Sequence, residues 1–218
     1  MYMPPAFVDK DLIHARRIVR EHPFASLISN DDEGFPFVTH LPIHLANEET
    51  KPNTKANTQG SWRLLGHCAK GNPHGRFLRA RPEALVTFLG PHAYLSPSVY
   101  PDLVRVPTWN YLAVHCRVQA RMIDDPADKD TLLKCLIGDH EPAYAEQWRG
   151  LDASYTEKML AGIVGFELRV LDVQSKLKLN QHRPEAHAAT YQAYRQGDAN
   201  AQALAQWMER LGLTGRAT

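Results

Sequence analysis

Eleven histidines, side chains that can bind a metal or transfer a proton, are distributed along this 218-residue sequence. His40 and His44 are four residues apart, a spacing that would place two metal ligands on one face of a helix. Pro42 lies between them and the flanking pattern is that of a strand, in which four residues span roughly 13 Å. One ion cannot bridge that distance. We therefore predict no metal site and interpret the histidines as hydrogen-bonding groups.

Five short segments combine hydrogen-bonding side chains with rigid proline, glycine or aromatic residues. They are residues 39–42, 66–74, 90–97, 106–111 and 176–181, and most of them fall at the ends of predicted strands. An FMN site needs these ingredients, because the phosphate requires cations and N–H donors while the flavin ring requires a flat apolar wall. Taken singly, each segment is also explained by a turn, by core packing or by a charged strand edge.

The usual signatures of other chemistries are missing from the sequence. It contains no glycine-rich dinucleotide motif after a strand, no phosphate-binding loop, no HExxH zinc motif and no GxSxG nucleophile motif. These omissions argue against the common dinucleotide, nucleotide, zinc-protease and hydrolase functions.

The elements that must position these segments are mostly strands in the middle of the chain and helices near both ends. Asp9 can cap a first helix that Pro23 ends, and turn residues 31–34 predict a hairpin over residues 24–41. We predict further strands at residues 62–68, 85–89, 111–123 and 163–173, and helices at residues 126–138, 154–161 and 185–211, the last broken at Gly197. The proline-punctuated run 91–107 is predicted to be an ordered binding loop, and the polar run 46–60 a mobile loop.

This order of elements predicts a mainly β fold of the α+β class. Long crossover helices between successive strands are scarce, which favours an antiparallel β-barrel with peripheral N- and C-terminal helices over a doubly wound sheet. With no repeat and no linker, residues 1–218 are interpreted as a single domain whose C-terminal helical extension covers residues 185–212.

Charge and composition restrict the partners. The net charge is +1, from 25 basic and 24 acidic side chains, and no basic block stands out, so direct DNA binding has weak support. Cys68, Cys116 and Cys135 are too few and too scattered for a disulfide framework. The sequence also lacks a signal peptide and a membrane-spanning apolar run, so we expect a cytoplasmic protein with no membrane contact.

Taken together and in order, the motifs resemble those of the PaiB family of FMN-binding negative transcriptional regulators, over residues 1 to about 212. The resemblance rests on the opening residues 1–7, on the segments 39–42, 66–73, 90–97 and 106–111, and on residues 163–167 and 176–181. It implies a split β-barrel similar to flavin reductases and pyridoxine phosphate oxidases. It further implies a homodimer with FMN at the subunit interface that negatively regulates genes for degradative enzymes and sporulation.

The resemblance also implies a set of flavin-contacting residues. The residues implied at the flavin ring are Thr39, His40 and Pro42; those at the ribityl chain and phosphate are His67, Ala69, Lys70 and Asn72. Trp109 and Tyr111 would close the pocket, and the residues implied to add charge and hydrogen bonds are Lys176, Lys178 and Gln181. Strand alternation puts both of these lysines on one face. The chain departs from the family at Asn180, where serine is usual.

Two other functions remain open at this stage. An FMN-dependent oxidoreductase of the flavin-reductase type is consistent with the barrel, although no residue can be named as its catalytic acid, base or nucleophile. Haem binding, as in some split-barrel relatives, is also open, although no histidine spacing singles out an axial ligand.

Overall fold

The computed structural model describes residues 1–10, 12–46, 62–102 and 104–215. Except for Ala46, the segment predicted to be a mobile loop lies outside the described residues.

The described strands form one seven-stranded sheet. The strands are β1 (Phe24–Asn30), β2 (Pro36–Pro42), β3 (His44–Leu45), β4 (Arg63–Ala69), β5 (Glu83–Leu95), β6 (Thr108–Ile123) and β7 (Ile163–Lys178), in the order β2-β1-β5-β6-β7-β4-β3. The β1–β2, β1–β5, β3–β4 and β4–β7 pairs are antiparallel. The order is open, with β2 and β3 as its edges, yet only Ile43 separates those two strands in the chain. The sheet therefore bends round until its edges approach each other, as in a split barrel.

Seven α-helices accompany the sheet in the described part of the chain. They are α1 (Leu12–Glu21), α2 (His74–Ala80), α3 (Pro126–His140), α4 (Tyr144–Arg149), α5 (Ala153–Ala161), α6 (His187–Arg195) and α7 (Ala199–Arg210). Asp125, Asp152 and Asp198 cap α3, α5 and α7, each accepting backbone N–H bonds with its carboxylate. None of the described helices is long and apolar enough to cross a bilayer.

The predicted mainly β, antiparallel fold with helical additions is confirmed, and so is the hairpin of β1 and β2. The prediction that residues 91–107 form an irregular loop is wrong at its start, because β5 continues through Pro91 to Leu95. The β1–β5 ladder covers only Leu85 to Thr87, so Pro91 lies beyond the part of β5 that β1 pairs with. The short helices α2 and α4 were not predicted.

The chain's contacts gather in two compact units, each built from separate segments. The terminal unit comprises Met1–Ile18, Leu89–Val114 and Gln174–Thr218, and the central unit comprises Val19–Phe88 and His115–Val173. Buried apolar side chains occur in both units. In the terminal unit they include Leu112, Leu179, Trp207 and Met208; in the central unit they include Trp62, Leu64, Phe88 and Phe166.

Candidate functional site

Two lysines share the ring of Tyr111 in the terminal unit. The Lys176 ammonium lies 5.2 Å and the Lys178 ammonium 6.0 Å from the centre of that ring. Lys176 also donates to the backbone carbonyl of Tyr2 at 3.1 Å, and Lys178 donates to the Thr108 hydroxyl at 2.6 Å. The prediction that both lysines lie on one face of the strand is confirmed, since they flank the same ring. We call Lys176 and Lys178 the lysine pair.

The lysine pair is electrostatically unusual. Lys176 is only 6% exposed, and among the described residues neither lysine has a carboxylate within ion-pair distance. Burial, and secondly repulsion from Lys176, lower the pKa of Lys178. Two partly dehydrated cations without a carboxylate match the charge and hydrogen-bonding of a phosphate, so this part of the chain fits the phosphate of FMN.

The backbone around the lysine pair is held by its neighbours in sequence. Val8 forms an antiparallel bridge with Lys176, which brings the N-terminal segment onto the end of β7. After β7, Asn180 adopts a left-handed conformation with φ of 64°, and its side-chain oxygen accepts a 3.1 Å bond from the Tyr100 hydroxyl. Both ends of the Gln181 amide bond the backbone, at Leu179 N–H and at the Leu177 carbonyl. Gln181 therefore fixes the turn that follows the lysine pair.

Trp109 begins a second group of side chains in the terminal unit. It is 48% exposed, and its indole N–H donates to His92 Nδ1 at 3.2 Å. Its ring also meets Tyr94 edge-on, with the ring centres 6.2 Å apart. This aromatic wall could stack a planar or cationic group.

In the central unit the structure brings Thr39 and Asn72 together around a histidine that was not among the predicted site residues. The Thr39 hydroxyl accepts from Asn72 Nδ2 at 3.1 Å and lies 2.8 Å from His74 Nδ1, while His74 Nε2 lies 3.0 Å from the Ser29 hydroxyl. Burial lowers the pKa of His74 to about 4, so this ring is neutral near pH 7. His74 was overlooked because its partners come from β1 and β2, more than thirty residues away.

Thr39 lies on the opposite face of β2 from His40 and Pro42, because side chains alternate along a strand. His40 is exposed, and its Nδ1 lies 3.0 Å from the Ser26 hydroxyl. The three residues predicted to line the flavin ring together therefore divide between two faces of one strand.

His67, Ala69 and Lys70 follow one another at the end of β4. The His67 ring is half-buried, its Nδ1 has no hydrogen-bond partner in the described structure, and burial lowers its pKa. Ala69 and Lys70 are exposed. Lys70 lines an open cleft of about 430 Å³ together with Arg79 and Lys129, and Arg79 is already paired with Asp124 at 2.6 Å.

The structure thus assembles the predicted residues into separate groups. One consists of Lys176, Lys178 and Tyr111, with Gln181 at the adjoining turn; another is Thr39 with Asn72; and Trp109 joins His92 and Tyr94. The side chains that sequence reasoning did not assign are Tyr2, His74, His92, Tyr94 and Thr108. All of these except Tyr2 lie within the segments 66–74, 90–97 and 106–111, so their position in those segments was the sequence signal that could have identified them.

An open antiparallel sheet whose edges approach each other, with a partly buried cationic pair suited to a phosphate, defines a flavin-type split-barrel protein. Comparison with known proteins agrees. Residues 1–172 match the family model described as "Putative FMN-binding domain". The chain is 33% identical over 213 residues to the Bacillus subtilis protein named "Protease synthase and sporulation protein PAI 2", covering 96% of this chain and 97% of the relative.

Solved structures show the same fold. The flavocytochrome Anf3 from Azotobacter vinelandii superposes with a TM-score of 0.58 at 17% identity, over 78% of this chain and 69% of that one. The FAD and heme binding protein from Mycobacterium smegmatis gives a TM-score of 0.54 at 16% identity, over 78% and 72% of the two chains. The chain belongs to the PaiB-type FMN-binding family, and FMN is its cofactor.

Proposed function

We propose that this protein is a cytoplasmic, homodimeric FMN-binding regulator that lowers transcription of genes for degradative enzymes or sporulation. Two findings support the regulatory part. The chain belongs to the PaiB-type family, and the name of the Bacillus subtilis relative links that protein to protease synthesis and sporulation. The match to this relative covers 96% of this chain and 97% of the relative.

The lysine pair is the observation that carries the flavin part of the proposal. Removing a lysine ammonium from water is unfavourable unless an opposite charge or hydrogen-bond acceptors compensate it. Among the described residues, Lys176 has one carbonyl acceptor and the rings of Tyr111 and Tyr2, and Lys178 has one hydroxyl and the ring of Tyr111. We assign the lysine pair to the FMN phosphate, with Tyr111 and Thr108 holding the two ammonium groups in place.

The chemistry that FMN supplies when bound is hydride and electron transfer. The residues of this chain would position the cofactor. Of the other assignments, Trp109 offers an exposed ring for stacking, while Gln181 acts through the backbone turn. The contacts implied for Thr39, His40, Pro42, His67, Ala69, Lys70 and Asn72 stay predictions.

Repression is proposed to be indirect or to need a partner. With a net charge of +1, the chain lacks the basic excess that drives autonomous DNA binding. A change in the redox state or occupancy of the flavin would instead alter the affinity of the homodimer for another protein or for a weakly bound DNA site.

The test is a gene-expression experiment that separates flavin binding from protein level. A strain lacking the gene is complemented with the wild type, with Lys176→Met or with the control Lys158→Met, and transcripts are sequenced. Lys158 is exposed on α5. We expect the wild type and Lys158→Met to lower the same transcripts and Lys176→Met to leave them high at equal protein abundance. Equal repression by all three would contradict a flavin-dependent regulator.

Two further measurements address the other parts of the proposal. Sedimentation velocity on the purified protein tests the homodimer, which a concentration-independent monomer would overturn. Steady-state oxidation of NADH and NADPH with FMN present tests the alternative of an FMN-dependent oxidoreductase. Rapid turnover without any change in transcripts would favour that enzyme over the regulator.

A further inference from the structure

The aromatic wall around Trp109 borders a cavity of about 370 Å³ in the terminal unit, which we call the aromatic pocket. His92, Tyr94 and Trp109 contribute rings from β5 and β6, Tyr194 contributes a ring from α6, and Asp198 lies at the start of α7. Four rings and one carboxylate therefore face one small space.

The rings of the aromatic pocket are held in a defined arrangement. Trp109 and His92 have ring centres 5.9 Å apart, and Trp109 and Tyr94 have centres 6.2 Å apart. An indole N–H can only donate, so in the 3.2 Å bond between Trp109 Nε1 and His92 Nδ1 the histidine accepts. His92 therefore carries its proton on Nε2 and is uncharged in this arrangement. Tyr94 and Trp109 remain about half exposed, which leaves their faces accessible.

The charge of the pocket is negative. Among the described residues that line it, Asp198 is the only carboxylate, and there is no lysine or arginine. One Asp198 oxygen accepts the Ala201 N–H at 2.9 Å, which orients the carboxylate. Electron-rich ring faces attract cations, and a nearby carboxylate adds to that attraction.

We propose that the aromatic pocket binds an organic ammonium ion, with a quaternary or alkylated ammonium group against Trp109 and Tyr94 and near Asp198. The ligand class is opposite in charge to FMN, whose phosphate suits the lysine pair. Trp109 is also among the residues assigned to flavin, so the two proposals share that side chain. Tyr94 and Asp198 belong to this one alone.

The first experiment uses choline as the probe and its neutral isostere 3,3-dimethylbutan-1-ol as the matched control ligand. Trp109 is the one exposed tryptophan, since Trp62, Trp148 and Trp207 are at most 9% exposed. Its indole N–H resonance can be assigned by its loss in Trp109→Phe and followed by NMR during titration. We expect choline to shift this resonance saturably and the neutral isostere to bind roughly tenfold more weakly or not at all.

Two variants test the named contacts. Asp198→Asn removes the charge but keeps a good helix-capping side chain, so it should fold normally while weakening choline binding roughly threefold or more. Tyr94→Leu should weaken binding by a similar factor. The matched control Tyr155→Leu replaces an equally exposed tyrosine on α5, outside the pocket, and should leave binding unchanged.

The outcomes separate this inference from the proposed function. FMN is titrated in parallel on the same preparations, followed by flavin fluorescence. FMN binding without choline binding would overturn the ammonium site alone, whereas choline binding without FMN binding would count against the flavin proposal alone. Equal affinity for choline and its isostere would also overturn the ammonium site. So would the absence of binding by both ligands because a stable dimer covers the pocket.

Discussion

At the scale of a single residue, Lys176 shows which features of the candidate site can be predicted from the sequence. The alternation of a strand places Lys176 and Lys178 on one face, and that prediction holds. The burial of Lys176 could not be predicted, because it depends on Tyr2 and Tyr111, which are 174 and 65 positions away in the sequence. Local pattern gives the direction in which a side chain points, and only the tertiary contacts give its depth.

His74 should make the stability of the protein depend on pH. Burial lowers its pKa from 6.5 to about 4, so the unfolded chain binds this proton more readily than the folded one. Above pH 6.5 this histidine does not reduce the free energy of unfolding, because the ring is neutral in both states. As the pH falls from 6.5 towards 4, the free energy of unfolding should fall by up to about 3 kcal/mol. Urea unfolding of the wild type and of His74→Gln between pH 4 and 7 measures the effect.

Glutamine can hydrogen-bond in place of histidine but does not titrate, so other acid-sensitive groups cancel in the comparison. The stability advantage of the wild type over His74→Gln should shrink as the pH falls. Parallel stability curves over the whole range would show that His74 is not the titrating group.

Asn180 is expected to contribute through its backbone conformation as well as its side chain. A left-handed φ of 64° suits asparagine and glycine and disfavours alanine. We therefore expect stability to fall in the order Asn180, Asn180→Gly, Asn180→Ala, with the alanine variant about 1–2 kcal/mol below the wild type. Thermal unfolding measures this order. Tyr100→Phe isolates the hydrogen bond, and an alanine variant as stable as the glycine variant would refute the backbone explanation.

At the scale of elements, the sequence located most of the strands and helices but misplaced several ends. The proline-punctuated run 91–107 predicted a loop, yet β5 continues through Pro91 to Leu95, beyond the residues that β1 pairs with. The strand β7 runs to Lys178 rather than stopping at Val173, and Val8 of the N-terminal segment bridges to Lys176 in this added part. Pairing with a distant segment cannot be read from local composition.

Gly66 lets β4 pack closely against Ile43, the residue that connects β2 to β3, and against Phe166. A methyl group there would lie 2.8 Å from Ile43 Cδ1 and 2.9 Å from a carbon of the Phe166 ring. We expect Gly66→Ala to destabilise the fold by about 1–3 kcal/mol through overpacking. Gly71→Ala is the matched control, since nothing lies within 4 Å of its methyl position. Urea unfolding of both variants checks this, and equal stability would show that β4 can shift without cost.

At the scale of the whole molecule, the net charge says more about direct DNA binding than any single motif does. A net charge of +1 offers little long-range attraction to nucleic acid. The fold class and the family were both predictable because several motifs recur in one order along nearly the whole chain. The grouping of site residues was not predictable, because it depends on which segments meet in each compact unit.

The central claim is that the lysine pair binds the phosphate of FMN, and one paired titration tests it most directly. FMN and riboflavin, which lacks the phosphate, are titrated into the wild type, Lys176→Met and Lys158→Met while flavin fluorescence is followed. Lys176→Met should weaken FMN binding roughly 10- to 100-fold, as expected for loss of a charge-assisted contact, and leave riboflavin binding nearly unchanged. Lys158→Met should bind both as the wild type does. Equal weakening of FMN and riboflavin, or no weakening of FMN, would contradict the account.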